Sequence, residues 1–156
     1  MKFVKLNLSN ITPFIPEVVL WIEEMENYIQ SNGRFLNEEE LTIAKEIGIL
    51  NYDIIKVWES SEVPKPKSTI LQFLGNKIGF FSSNTNGICF RYGIFIHSVS
   101  PNKVSLLEHE LIHTLQYERF GSVEKFILYY LDDVLTNGYD VSVLEKEANC
   151  SKKTFK

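Results

Sequence analysis

Apolar residues recur along this chain with two periods, one helical and one strand-like. Val18, Trp21, Ile22, Met25, Tyr28 and Ile29 are spaced by three and four. That spacing predicts a helix starting near Pro16, with Glu17 in its first turn and Gly33 at its end. Asn37 and Glu40 form a capping box for a second helix with Leu41, Ala44, Ile47 and Ile49 on its face and Gly48 as its stop. Phe3, Val4, Leu6 and Leu8 predict a short strand within residues 1–12, and Ile54, Ile55, Val57 and Trp58 predict another. Pro64-Lys65-Pro66-Lys67 is a connection that suits neither a helix nor a central strand. Ser68 caps a short helix through Leu71 and Leu74, and residues 82–87, SSNTNG, read as a turn cluster. Ile88 to His97 alternates over ten residues and is the best strand. Leu106, Leu107, Leu111, Ile112 and Leu115 then form a helical stripe. Its start is signalled by Ser100-Pro101 or by a Ser105–Glu108 capping box, and its stop by Gly121. Ser122 opens a helix that turns Phe126, Ile127, Tyr130, Leu131 and Val134 inward and leaves Asp132 and Asp133 to solvent. Asn137-Gly138 turns the chain, and Ser142 begins a last helix.

This order predicts an α+β fold, with a small sheet beside the helix near residue 110 and further helices on either side in the sequence. One domain over residues 1–156 is expected, with a possible helical subdomain at 1–63 marked off by the Pro-rich connection. An apolar content of 44% suits a globular core. The net charge of −4 gives no basic excess, so nucleic acid is not an expected partner. The aromatic residues are spread along the chain and read as core or cleft lining. Two cysteines, Cys89 and Cys150, are too few for a disulfide scaffold, and one bridge between them stays open. No apolar run approaches membrane-spanning length and no signal-peptide pattern opens the chain, so a cytoplasmic location is the expectation.

The chemistry concentrates in Leu107 to Gly121, LEHELIHTLQYERFG, which contains an H-E-x-x-H motif at His109, Glu110 and His113. Residues four apart on a helix stand one above the other, so both imidazoles can reach one metal ion. Glu110 borders that face and can take a proton from water activated by the ion. Zinc lowers the pKa of bound water from about 16 to about 7, so a carboxylate suffices as base. Chance produces this motif on the order of once in a few hundred chains of this size. The apolar helical context therefore counts in favour of a site.

Catalytic zinc usually has three protein ligands and one open position. No His follows His113, which leaves a carboxylate or the upstream His97 as the third ligand. Glu145 lies 145 − 113 = 32 residues past the second His, far enough for a helix to turn back to the metal.

HELIHTLQYERFG followed by LEKEAN resembles the gluzincin group of zinc metallopeptidases. In that group a His-Glu-x-x-His helix is followed by a helix carrying Glu-x-x-x-Asp or Glu-x-x-Ala-Asp. The pattern from Phe35 to Asn149 is also similar to short gluzincin-like proteins of bacteria. The resemblance implies a zincin-like fold, Zn²⁺, and Glu145 as third ligand. Glu147 is the alternative, and it points about 200° away from Glu145 on a helix. The family's Asp, which supports a ligand His, is replaced here by Asn149. An amide oxygen can still accept an imidazole N–H.

The expected function is hydrolysis of a peptide or amide bond in a peptide or protein substrate. A zinc-binding interaction domain without turnover is the alternative, as is a latent peptidase with its SKKTFK tail across the cleft. Tyr139 is a candidate donor to the oxyanion, with Tyr117 and His97 behind it; each is more often structural. Arg91 and Arg119 are candidates for binding a substrate carboxylate. Glu38-Glu39-Glu40 reads as a favourable helix N-terminus rather than a metal site. Ser142 and Glu145 also form a capping-box pattern, which competes with a ligand role for Glu145.

Overall fold

The computed structural model describes residues 6–78 and 85–151, with side chains through Asn149. The fold is α+β. In chain order the helices are α1 (Leu8–Ile11), α2 (Ile15–Asn32), α3 (Glu38–Ile47), α4 (Thr69–Lys77), α5 (Lys103–Phe120), α6 (Val123–Asn137) and α7 (Val143–Ser151). The strands are β1 (Arg34–Phe35), β2 (Lys56–Ser60), β3 (Gly87–Phe90) and β4 (Gly93–His97), in a mixed sheet of order β1-β2-β4-β3. Strand β2 runs parallel to β4, with Val57 opposite Ile94, and the outer pairs are antiparallel. Segments before and after the Pro64–Lys67 connection thus share one sheet. No helix among the described residues is long and apolar enough to cross a membrane.

Several helix ends follow local rules. Asn37 and Glu40 make the reciprocal capping box of α3, and Gly48 ends it in the left-handed region. Ser68 and Ser122 accept from the third helical N–H of α4 and α6. Gly121 closes α5 at φ +85°.

Other expectations are corrected. The strand expected in residues 1–12 is not formed by its described part. Asn7 and Asn10 cap each other reciprocally, and Leu8–Ile11 is a helical turn. Thr12–Phe14 then continues as a 3₁₀ turn with Pro13 at its start. Residues 1–5, like Ser82 to Asn84 of the expected turn cluster, lie outside the described residues; Gly87 opens β3. Tyr52–Ile54 is a 3₁₀ turn, so β2 starts only at Lys56. Neither Ser100 nor Ser105 caps α5. Its N-cap is Asn102, at φ +54°, and Ser105 and Glu108 lie inside the helix.

The single strand expected over Ile88–His97 is a hairpin turning at Arg91-Tyr92. Arg91 sits at φ +64°, and the turn is bolted to α2 by an ion pair. The Arg91 Nε and Nη2 donate to Glu26 at 2.8 and 2.6 Å, and the Tyr92 N–H donates to the same carboxylate at 2.9 Å. The alternation is misleading because both faces of the hairpin are covered. Phe90 packs edge-on against Trp21, and Gly93 lies against Ile29, which places α2 on one face. Cys89 meets Thr114 on the other face, where α5 lies. Cys89 is a buried free thiol, so the Cys89–Cys150 bridge does not form.

Asp133 corrects the sequence reading most usefully. It is buried rather than solvated, and its two oxygens accept the N–H groups of Val143 and Leu144 at 3.0 Å each. It therefore satisfies the exposed amides at the start of α7. Asp132 stays exposed.

Candidate metal centre

Helix α5 is buried on most of its surface, with Leu107, Leu111, Ile112, Thr114 and Tyr117 all in the core. It lies between the sheet and helices α3, α6 and α7. A helix so enclosed has few polar positions that are not functional or paired. His109, Glu110 and His113 are three of its polar residues.

His109, His113 and Glu145 converge. Glu145 Oε1 is 3.1 Å from His109 Nε2, and Oε2 is 3.0 Å from His113 Nε2. The two Nε2 atoms are 3.2 Å apart. Ligand atoms at about 2.0–2.1 Å from a tetrahedral zinc stand about 3.3 Å from one another. The triangle of two imidazoles and one carboxylate has edges near that size, with a different carboxylate oxygen facing each imidazole.

The surroundings fix the imidazole tautomers. Gln116 Nε2 donates to the Leu144 carbonyl at 3.1 Å and to Glu147 at 2.9 Å. Its carbonyl oxygen is thereby turned to His113 Nδ1, at 2.7 Å. His113 Nδ1 must then be the donor, which leaves Nε2 to face His109 and Glu145. His109 Nδ1 lies 3.0 Å from Asn149 Oδ1, so the amide occupies the supporting position. Two imidazole lone pairs and a carboxylate facing one another require a proton or a cation between them. This donor set fits zinc.

Glu145 is free for this role because Asp133 takes the amides at the start of α7. The Ser142–Glu145 capping box does not form; Ser142 Oγ donates instead to the Tyr139 carbonyl. Tyr130 donates to Glu145 Oε2 at 2.9 Å. Glu147 points elsewhere and binds Arg119 and Gln116.

Burial opposes charge on His113, but the hydrogen bond and charge of Glu145 outweigh it, and Glu110 adds to them. The result is a pKa raised to about 9. Glu145 is likewise pushed up by burial but held far below the usual carboxylate range by His109 and His113. Metal binding requires a neutral imidazole. Zinc uptake by the metal-free protein at pH 7 should therefore displace the His113 proton. Proton release measured in weak buffer should drop by about one per metal as pH rises through 9. A release unchanged across that range would mean that zinc displaces no proton from His113 there.

Glu110 is buried and lines the same cavity as His113, Glu145, Tyr130 and Tyr139. Tyr139 shares a hydrogen bond with Tyr130. Burial, then the Glu145 and Glu110 charges, push the Tyr139 phenol well above its ordinary value. Burial and Glu145 do the same for Tyr130.

The remaining candidates are not brought to the centre. His97 ends β4 on the α2 face, edge-on to Phe95, and its Nδ1 accepts the Val99 N–H at 3.4 Å. The Tyr117 hydroxyl donates to the Cys89 carbonyl at 3.3 Å. Arg91 and Arg119 are engaged by Glu26 and Glu147. The SKKTFK tail from residue 152 lies outside the described residues. Sequence reasoning missed Gln116 and Tyr130. Gln116 had a usable signal, since it stands three residues after His113 on the same helical face. Comparison with protein-family models, curated proteins and solved structures finds no match to this chain.

Proposed function

We propose that this chain is a zinc-dependent hydrolase of gluzincin type, acting on peptide or amide bonds. His109, His113 and Glu145 hold the ion in this reading, and Glu110 is the general base. The observation that carries it is the 3.0–3.2 Å triangle of two Nε2 atoms and one carboxylate, with Glu110 lining the same cavity. The motif helix lies on one face of a small sheet with β3 as the edge strand beside it, which suits a zincin-like fold.

Zinc bound at the triangle would supply Lewis acidity, bringing the pKa of water toward about 7. The Glu110 carboxylate accepts the proton of the attacking water and returns it to the departing nitrogen. Tyr130 holds Glu145 by one oxygen, while Gln116 and Asn149 orient the imidazoles. Tyr139 lines the same cavity and is the candidate donor to an oxyanion. Away from its polar end the cavity is apolar, with Trp21, Leu71, Leu74 and Phe90 in its walls. The substrate therefore presents an apolar side chain beside the scissile bond.

The test is metal content by elemental analysis, followed by a mixed peptide library read by mass spectrometry. One zinc per chain with cleavage supports the hydrolase. One zinc without cleavage favours the interaction domain, and no zinc after zinc is supplied overturns both.

A further inference from the structure

Gly87 opens β3 and pairs with Ile96 on β4. Glycine weakens a strand, so its presence there needs a reason. Conformation is not the reason, because Gly87 is not among the glycines at positive φ. Space is. A Cβ at this position would lie 2.9 Å from Glu110 Oε1, 3.1 Å from its Cγ and 3.3 Å from its Cδ. All three near atoms belong to one side chain.

Two other glycines provide the contrast. A Cβ on Gly33 would meet the carbonyl oxygens of Ile29 and Val57 at 2.8 Å, and both are backbone. A Cβ on Gly93 would meet Ile29 Cβ at 3.1 Å and the Glu26 backbone at 3.3 Å. Those glycines let elements pack. At Gly87 the obstacle is the far end of a flexible side chain, which can move while the fold stays. Ordinary contact begins near 3.4 Å, so a methyl group would displace the carboxylate oxygen by about 3.4 − 2.9 = 0.5 Å or more.

We infer that Gly87 is a positioning residue for Glu110: the edge strand lacks a side chain there so that the carboxylate can stand where the reaction needs it. The inference rests on reading Glu110 as the base. Placement errors near 1 Å at a reacting group cost on the order of 100-fold in rate. Gly87→Ala should therefore lower kcat by about 10- to 100-fold. KM, the zinc content and the melting temperature should stay close to wild type. Glu110→Asp shortens the carboxylate by one methylene, so its cost should be smaller in the Gly87→Ala background than in wild type. Such non-additivity identifies a pair that acts on each other.

The contact itself is tested without metal or turnover. In metal-free protein carrying ¹³C-carboxyl glutamate, Gly87→Ala should shift the Glu110 resonance and leave in place that of Glu118, which stands about two turns further along α5. An unmoved Glu110 resonance overturns the proposal whether or not the protein is a hydrolase. A shifted resonance with unchanged kcat in an active enzyme overturns it too. If the wild type cleaves nothing, the hydrolase reading fails and the resonance still decides the contact.

Discussion

Glu145→Ala will bind zinc a few hundredfold more weakly than wild type and lose it on dialysis. Structural zinc sites with four ligands are worth about 10–16 kcal/mol, or about 2.5–4 kcal/mol per ligand. A loss of that size corresponds to about 60- to 700-fold in affinity. The two Nε2 atoms, 3.2 Å apart, would be left without the one negative charge in their triangle. His113→Ala should have a similar effect. Glu147→Ala should keep one zinc per chain, because Glu147 is engaged by Arg119 and Gln116 and lies outside the triangle. Elemental analysis of the dialysed variants decides between the carboxylates. Zinc kept in Glu145→Ala and lost in Glu147→Ala would move the third ligand to Glu147.

The second large effect is on turnover. Glu110→Gln should keep its zinc and lower kcat by about 10²–10⁴-fold, the usual contribution of a general base. The substitution preserves shape and removes the proton acceptor, and Glu110 is not one of the three grouped side chains. KM should change little, since the lost interaction belongs to the transition state. A variant that kept more than a tenth of wild-type kcat would remove Glu110 from the base role and leave another group to find.

The parts of this fold that were readable in the sequence are those fixed by near neighbours. Asn37 and Glu40, Ser68, Ser122 and Gly121 set helix ends through bonds to residues three or four positions away. His109, Glu110 and His113 were readable for the same reason, since helical spacing alone puts them together. What failed depends on distant partners. The Arg91 turn is held by Glu26, 65 residues earlier, and local alternation carries no trace of that ion pair. Asp133 stands beside the exposed Asp132 and shares its local sequence signal. Its role comes from the helix start ten residues later. That capping bond also removes the competing reading of Glu145 as the capping-box partner of Ser142. The third member of the triangle was reached through family resemblance, and its freedom to ligate depends on Asp133.

The three grouped side chains come from α5 and α7, while the apolar walls draw in part on α1, α2 and α4. Short loops join α5 to α6 and α6 to α7, so the ligand-bearing unit is local in sequence and cheap to close. The parallel pairing of β2 with β4 instead joins Lys56 to Gly93 across a long intervening stretch. Amide hydrogen exchange would report the two parts separately. Zinc should slow exchange in α5 and α7, because it binds only the state in which they are docked. Exchange in α1 and α4 should be indifferent to zinc, so the cavity can breathe through its early-chain walls while the ion stays held.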